Sequence, residues 1–285
     1  MLTPFRLLRS RLPRLSPLLG APLLWLALLN AAPARAQVVP SGPISADPGR
    51  ASYAPSATLK AQYRPAVSIG LPFFDDFTTP LEGTPNPNRW LPTGGAYVSN
   101  RLAPLPPTRG AATLDGLRAN GLSYGRSYSG QVNSPNGVLD SLVSQPIDLG
   151  SLGTGDQVFL SFAWQAGSVV SVPGAGTPSN PVRLELFVKT STGTWESKWF
   201  YNGLRQRTGF RQQVIDLNQA KYLHGNFQLM FVASGNTADN SDNFSVDYVL
   251  LDRGRTRGLT DTTFTDVATG AGLAGGLPTG GLRSP

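Results

Sequence analysis

The stretch SDNFSVDYVLLD, residues 241 to 252, sets Asp242, Asp247 and Asp252 into an otherwise apolar run, and FFDDF at 73 to 77 places Asp75 and Asp76 between phenylalanines. Carboxylates in such settings do one of three things: they shuttle protons, bind a cation, or face solvent from a strand. Glycoside hydrolysis needs two of them about 5 to 10 Å apart across a groove. The only glutamates are Glu82, Glu185 and Glu196, and none lies in an E-x-D-x-x-E pattern. A jelly-roll carbohydrate-active hydrolase therefore stands as an alternative reading, below a non-catalytic one.

Other catalytic signatures fail on context. GLSYG at 121 to 125 matches G-x-S-x-G, but a nucleophile elbow needs a strand, a sharp turn, a helix and a base. No helical pattern follows Gly125, and His224 is the single histidine. One histidine also disfavours catalytic zinc, which usually takes two or three; in KYLHGNF it reads as a turn residue. Gly270, Gly272 and Gly275 match G-x-G-x-x-G inside low-complexity sequence with no βαβ unit around them.

Trp195, Trp199, Phe200 and Tyr201 form the aromatic candidate, because sugar rings stack their C–H faces on exposed aromatics. Strict alternation predicts Trp195, Trp199 and Tyr201 on one face and Phe200 on the other, with part of the set in the core. TADNSDN, dense in Asx residues, reads as a turn, since Asn and Asp side chains bond their own backbone locally.

The elements that position these residues follow from composition and period. Arg6, Arg9, Arg11 and Arg14 precede an apolar run ending in Ala34-Arg35-Ala36, the pattern of a secretory signal peptide cleaved before Gln37. Pro17, Gly20, Pro22 and Asn30 interrupt that run, so a membrane anchor fits poorly, and no transmembrane segment is expected after cleavage. Residues 1 to 36 carry five arginines and no acids, so the formal charge falls from +7 (24 basic, 17 acidic) to +2 (19 basic, 17 acidic) once they are removed. That takes away the support for a nucleic-acid partner. There is no cysteine, which excludes disulfides, thiolate metal sites and a Cys nucleophile.

Residues 37 to 70 carry Pro40, Pro43, Pro48, Pro55 and Pro65 and read as a Pro-rich linker or extended arm, and 267 to 285 as a Gly-rich flexible tail. Between them, 71 to 266 has a period of two. Val158, Leu160, Phe162 and Trp164 share one face of a strand, and Leu184, Leu186 and Val188 alternate with Arg183, Glu185 and Lys189. FFDDF, AATLDG, LVSQPIDL, TWESKWFY, FRQQVIDL, NFQLMFVA and FSVDYVLLD read as further strands. The expected fold is all-β, an antiparallel two-sheet sandwich of jelly-roll type. Over 243 to 251, alternation predicts Phe244, Val246, Tyr248 and Leu250 on one face and Ser245, Asp247, Val249 and Leu251 on the other.

The order FDDF, lone Trp90, ATLDGL, LVSQPIDL, VFLSFAWQAG, LELFVKT, VIDL, FQLMFVASG and DNFSVDYVLLD resembles the MAM-type jelly-roll modules of surface proteins. It also looks like a group of secreted Bacteroidota proteins that share FFDDF, PIDL, DN-x-x-VDY-x-x-LD and DTTF-x-DVA segments, the last matched by DTTFTDVA at 261 to 268. Animal MAM modules are disulfide-bonded and this chain has no cysteine. The Bacteroidota proteins often continue into further domains with a type IX secretion sorting signal, whereas this sequence runs into Gly-rich residues.

The resemblance implies a secreted or cell-surface recognition or adhesion module, extracellular with the periplasm as the alternative, taking a glycan or a cell-surface protein. A structural spacer in an adhesin or matrix protein is the second reading. The resemblance also implies a structural Ca²⁺ near the first and last strands: Asp75 or Asp76 with Asp247, supported by Asp242 and Asn243. The bland alternative has Asp75 and Asp76 capping a strand end and Asp247 accepting ordinary hydrogen bonds.

Overall fold

The computed structural model describes residues 46–47, 50, 68–79, 82–125 and 136–261, all within a compact unit spanning Ser41–Pro285. The expected signal peptide, most of the arm, the 267–285 tail and nearly all of DTTFTDVA lie outside the described residues.

Among the described residues ten strands follow one another: β1 (Phe73–Asp75), β2 (Tyr97–Ser99), β3 (Ala111–Leu114), β4 (Asn136–Val143), β5 (Phe159–Ala166), β6 (Arg183–Lys189), β7 (Trp195–Asn202), β8 (Arg211–Asp216), β9 (Leu229–Asn236) and β10 (Phe244–Asp252). A single 3₁₀ turn, Gly258–Thr260, follows the last strand. The strands make two antiparallel sheets. One has the order β4-β9-β6-β7; the other runs β2-β3-β10-β5-β8, with β1 also on β10. β10 is the axis of the larger sheet: β5 follows one edge, while β3 takes Phe244–Val246 and β1 takes Val249–Leu251 along the other. The fold is the expected all-β sandwich. β2 escapes the sequence pattern, because three residues between turns leave too short an alternation to read.

Period two decides which side chains meet between the sheets. In β9, Leu229, Phe231 and Ala233 are buried while Met230, Val232 and Ser234 are half-buried. The expected faces of β5 and β6 hold: Leu160, Phe162 and Trp164 join Leu184, Leu186 and Val188 in one cluster. Phe162 stands edge-on to Phe231, centroids 4.9 Å apart, which ties the sheets together at mid-height.

β10 departs from its expected faces. Its pairing with β5 slips between Asp247 and Leu250, and Tyr248 sits at φ 49°, in the left-handed region. This β-bulge puts two residues where the partner has one, so the alternation changes phase. Phe244 and Val246 face the core before it, and Val249 and Leu251 after it. Tyr248, expected on the Phe244 face, instead packs edge-on against Phe74 at 5.0 Å.

The two outer faces differ. That of the β4-β9-β6-β7 sheet is partly exposed. On the larger sheet, Ser99, Thr113, Ser245, Asp247 and Gln165 are all buried, and the β2–β3 connection, residues 100–110, reaches back over this face. Thr108 reaches Asp247, and Gln165 Nε2 donates to the Pro104 carbonyl.

Candidate functional site

The aromatic candidates lie on β7, and the structure divides them. β7 pairs with β6 in a register that slips between Leu186 and Phe187, leaving Lys198 as the extra residue. A bulge there reverses the faces. Trp199 and Tyr201, opposite Leu186 and Leu184, turn inward, where Trp199 meets Phe162 at 5.2 Å and Tyr201 meets Trp164 at 4.4 Å. Trp195 and Phe200, opposite Lys189 and Glu185, turn outward. The expected grouping of Trp195 with Trp199 and Tyr201 is therefore wrong. A single-strand pattern carries no sign of a bulge that arises only on pairing.

The outward pair sits in a built setting. Phe200 is 53% exposed, the most open ring of the set. Opposite Phe200 lies Glu185, itself buried, accepting from Arg183 Nη2 at 2.6 Å and from Ser197 Oγ at 2.6 Å, while the Phe187–Ser197 pair lies between Phe200 and Trp195. Arg183 also lies 5.7 Å from the Phe200 centroid, and Lys189 Nζ lies 5.9 Å from that of Trp195. Arg183 Nε has no partner among the described residues. Met230 and Val232, on neighbouring β9, continue this face at half burial. The result is a sheet surface with two outward aromatic rings and a fixed carboxylate–guanidinium pair beside one of them, Phe200. Chemically it offers ring faces for stacking and oriented acceptors and donors for hydroxyl groups.

The same bulge separates the glutamates. Glu196 lies across from core-facing Val188 and accepts from Tyr222 Oη at 2.8 Å and Lys221 Nζ at 2.7 Å, whereas Glu185 faces outward. These two carboxylates do not flank a common groove.

The cation candidates are placed as follows. Asp75 accepts from Trp90 Nε1 at 2.7 Å and from the Phe77 amide at 2.9 Å, and Asp76 from the Thr78 amide at 3.0 Å. Burial raises the Asp75 pKa despite those bonds. Asp247 accepts from the Thr108 and Tyr248 amides at 3.1 and 2.6 Å. Thr108 Oγ1 is 3.0 Å from Asp247 and 2.5 Å from the Asp76 carbonyl. Burial pushes the Asp247 pKa up to about 7, against the bonds donated by Thr108 and Tyr248. Asp75 is thus held by Trp90 and Phe77 against the core, whereas Asp247 is bound by Thr108, which also reaches the Asp76 carbonyl. Asp242 instead accepts from the Gly174 and Asn236 amides at 2.7 and 2.6 Å, at the other end of β10, with Asn243 buried beside it. Among the described residues, no three His, Cys, Asp or Glu side chains converge to hold a metal.

In GLSYG, Tyr124 donates to Asp140 at 2.8 Å. Nε2 of His224 lies 3.1 Å from the Lys189 carbonyl, so no serine–histidine pair forms there. His224 is the expected turn residue, between β8 and β9. Within TADNSDN, Asp239 accepts from the Ser241 amide at 2.9 Å, the expected local turn chemistry.

A buried ionic cluster has no signature in the sequence pattern. Arg50 is 1% exposed and donates to both oxygens of Asp115 at 3.1 and 2.6 Å and to the Leu117 carbonyl at 3.0 Å, with its guanidinium 4.1 Å from the Tyr97 centroid. Asp140 accepts from the Asp115 and Gly116 amides at 2.7 and 2.8 Å, and burial raises its pKa to about 7. The arm is pinned to the sandwich at this point. Arg50 and Asp115 are 65 residues apart, and no local pattern links them.

No protein-family model matches the chain, and no curated protein matches it. Solved structures overlap it in part. A family 16 carbohydrate-binding module shares 12% identity over 57% of this chain and 89% of its own, at a TM-score of 0.30. The module CBM27-1 of Caldicellulosiruptor saccharolyticus, solved with mannohexaose, shares 13% over 55% and 81%, at 0.31. The α-L-arabinofuranosidase MgGH51 shares 10% over 67% of this chain and 27% of its own, at 0.37. Overlaps at these TM-scores carry no functional argument; the fold class rests on the two sheets themselves.

Proposed function

We propose that this chain is a non-catalytic, exported recognition module that binds a glycan on the outer face of its β4-β9-β6-β7 sheet. The observation that carries this reading is the outward pair Trp195 and Phe200 on one face, with the Arg183–Glu185–Ser197 network at the Phe200 end. A pyranose presents apolar C–H faces and a rim of hydroxyls, and this surface offers aromatic planes beside oriented polar groups. The separation of Glu185 from Glu196 supports binding over hydrolysis.

The test is a titration of the full chain with soluble cello-, manno- and xylo-oligosaccharides, followed by tryptophan fluorescence and calorimetry. Saturable binding lost in Trp195→Ala and Phe200→Ala supports the proposal; binding unaffected by both substitutions, or none to any oligosaccharide, removes it. Reducing-sugar release from the same mixtures separates binding from hydrolysis. Export is checked by N-terminal sequencing of the protein recovered outside the cytoplasm, with Gln37 expected first.

A protein partner is the second reading. Leu105, Val169, Val172 and Leu204, at 57%, 48%, 43% and 56% exposure, lie on loops linked by the Val169 N–Leu102 O and Arg205 N–Pro173 O hydrogen bonds.

A further inference from the structure

The covered face of the larger sheet contains polar groups that the protein itself does not satisfy. Thr113, Ser245 and Gln165 are register partners across β3, β10 and β5. Their neighbours Leu114, Phe244 and Ala166 face the core, so the three point together away from it. They are 0%, 0% and 2% exposed. Thr113 Oγ1, Ser245 Oγ and Gln165 Oε1 nevertheless have no hydrogen-bond partner among the described residues, and neither do Oδ1 and Nδ2 of Asn243, two positions before Ser245. A buried polar group left unsatisfied costs about 1–3 kcal/mol. Several adjacent ones, spaced at roughly the 5 Å interval between strands, form a row of groups able to bond a water or a ligand.

The 100–110 strap meets the sheet through hydrogen bonds, Thr108 to Asp247 and to the Asp76 carbonyl and Gln165 Nε2 to the Pro104 carbonyl, the last shared with the Thr208 carbonyl, and through buried Ala103. Of its two leucines, Leu105 is 57% exposed and Leu102 only half-buried. A connection of this length between paired strands, with both of its leucines at least partly exposed, belongs to the low-stability end of a fold.

We infer that this face is a second binding site, closed by the 100–110 strap, for an uncharged polyhydroxylated ligand. Hydroxyls both donate and accept, which matches the mixed demand of Thr113, Ser245, Gln165 and Asn243. A charged ligand would have to be desolvated beside Asp247. The site is separate from the Trp195–Phe200 face and stands without it.

The experiment is amide hydrogen exchange of the full chain with and without glycerol, cellohexaose, mannohexaose or xylohexaose, in four backgrounds: wild type, Trp195→Ala/Phe200→Ala, Thr113→Val/Ser245→Ala, and Thr108→Ala. At least one probe is expected to change exchange across 101–110 severalfold in the wild type and in the Trp195→Ala/Phe200→Ala chain. The change is expected to vanish in Thr113→Val/Ser245→Ala. That pair removes only unpartnered hydroxyls with little change of shape, so folding is expected to survive. Thr108→Ala loosens the strap without touching the floor, and is expected to lower the probe concentration needed, because the open form becomes more populated. Exchange across the strap that no probe changes, or a change that persists without the two hydroxyls, would overturn the inference and leave a face occupied by water alone. Loss of signal only with Trp195→Ala/Phe200→Ala would also overturn it, while upholding the open-face proposal.

Discussion

Trp195 and Trp199, four residues apart on one strand, lie on opposite faces of the β4-β9-β6-β7 sheet because Lys198 bulges between them. The two tryptophans therefore have separable roles. Trp199→Ala empties space beside Phe162 and Trp164 and is expected to cost about 3 kcal/mol. Trp195→Ala removes a half-buried outer ring and is expected to cost less than about 1 kcal/mol. Urea unfolding followed by circular dichroism measures both, and only Trp195→Ala should abolish glycan binding in protein that remains folded.

Arg50→Ala is expected to destabilise the fold by about 3–5 kcal/mol, the cost of leaving Asp115 buried without its cation. Arg50→Lys should recover only part of this, since an ammonium cannot reproduce the two-pronged contact with both Asp115 oxygens. Chemical denaturation of the three proteins side by side tests the order wild type, Lys, Ala.

Stability is expected to fall as pH rises from about 4 to about 7. Asp247 and Asp140 both have folded pKa values raised by burial to about 7, from an ordinary 3.8. The folded state thus holds protons that the unfolded state releases across this window, and their contribution, full below about pH 4, is lost on passing through 7. Melting temperatures at pH 5 and pH 8 give the sign directly. Asp247→Asn, which cannot ionise, should flatten the profile in part, with Asp140 and Asp75, whose pKa values burial also raises, contributing to the remainder.

Millimolar Ca²⁺ is expected to move the melting temperature by less than about 1 °C relative to EDTA, since a ligand stabilises only through binding the native state. Asp75 and Asp247 already accept hydrogen bonds from Trp90, Phe77, Thr108 and Tyr248, and Asp242 stands apart at the other end of β10. A calcium-dependent rise that Asp247→Asn abolishes would instead support the cation site that the family resemblance implies.

Much of the core is legible in strand alternation alone. Leu160, Phe162 and Trp164 on β5, and Leu184, Leu186 and Val188 on β6, alternate with residues that face outward, and they pack where a period of two places them. The all-β pattern, the turn role of His224 and the failure of GLSYG as a nucleophile elbow are legible as well, since each depends on neighbours within a few residues. The faces of Tyr248, Trp195 and Trp199 are not, because one extra residue inverts every side chain beyond it. Nor is the burial of Ser245 and Asp247, which depends on a strap arriving from 100–110.

The sequence by itself determined the all-β class, the period of the strands and the residue types available for recognition, because strand alternation and turn chemistry are properties of short segments. Only the tertiary structure decided which aromatics face outward, which carboxylates are neighbours, and which sheet face is covered. Bulges form where two strands must share one register, and Arg50 meets Asp115, or Thr108 meets Asp247, only after residues 65 and 139 apart have been folded together.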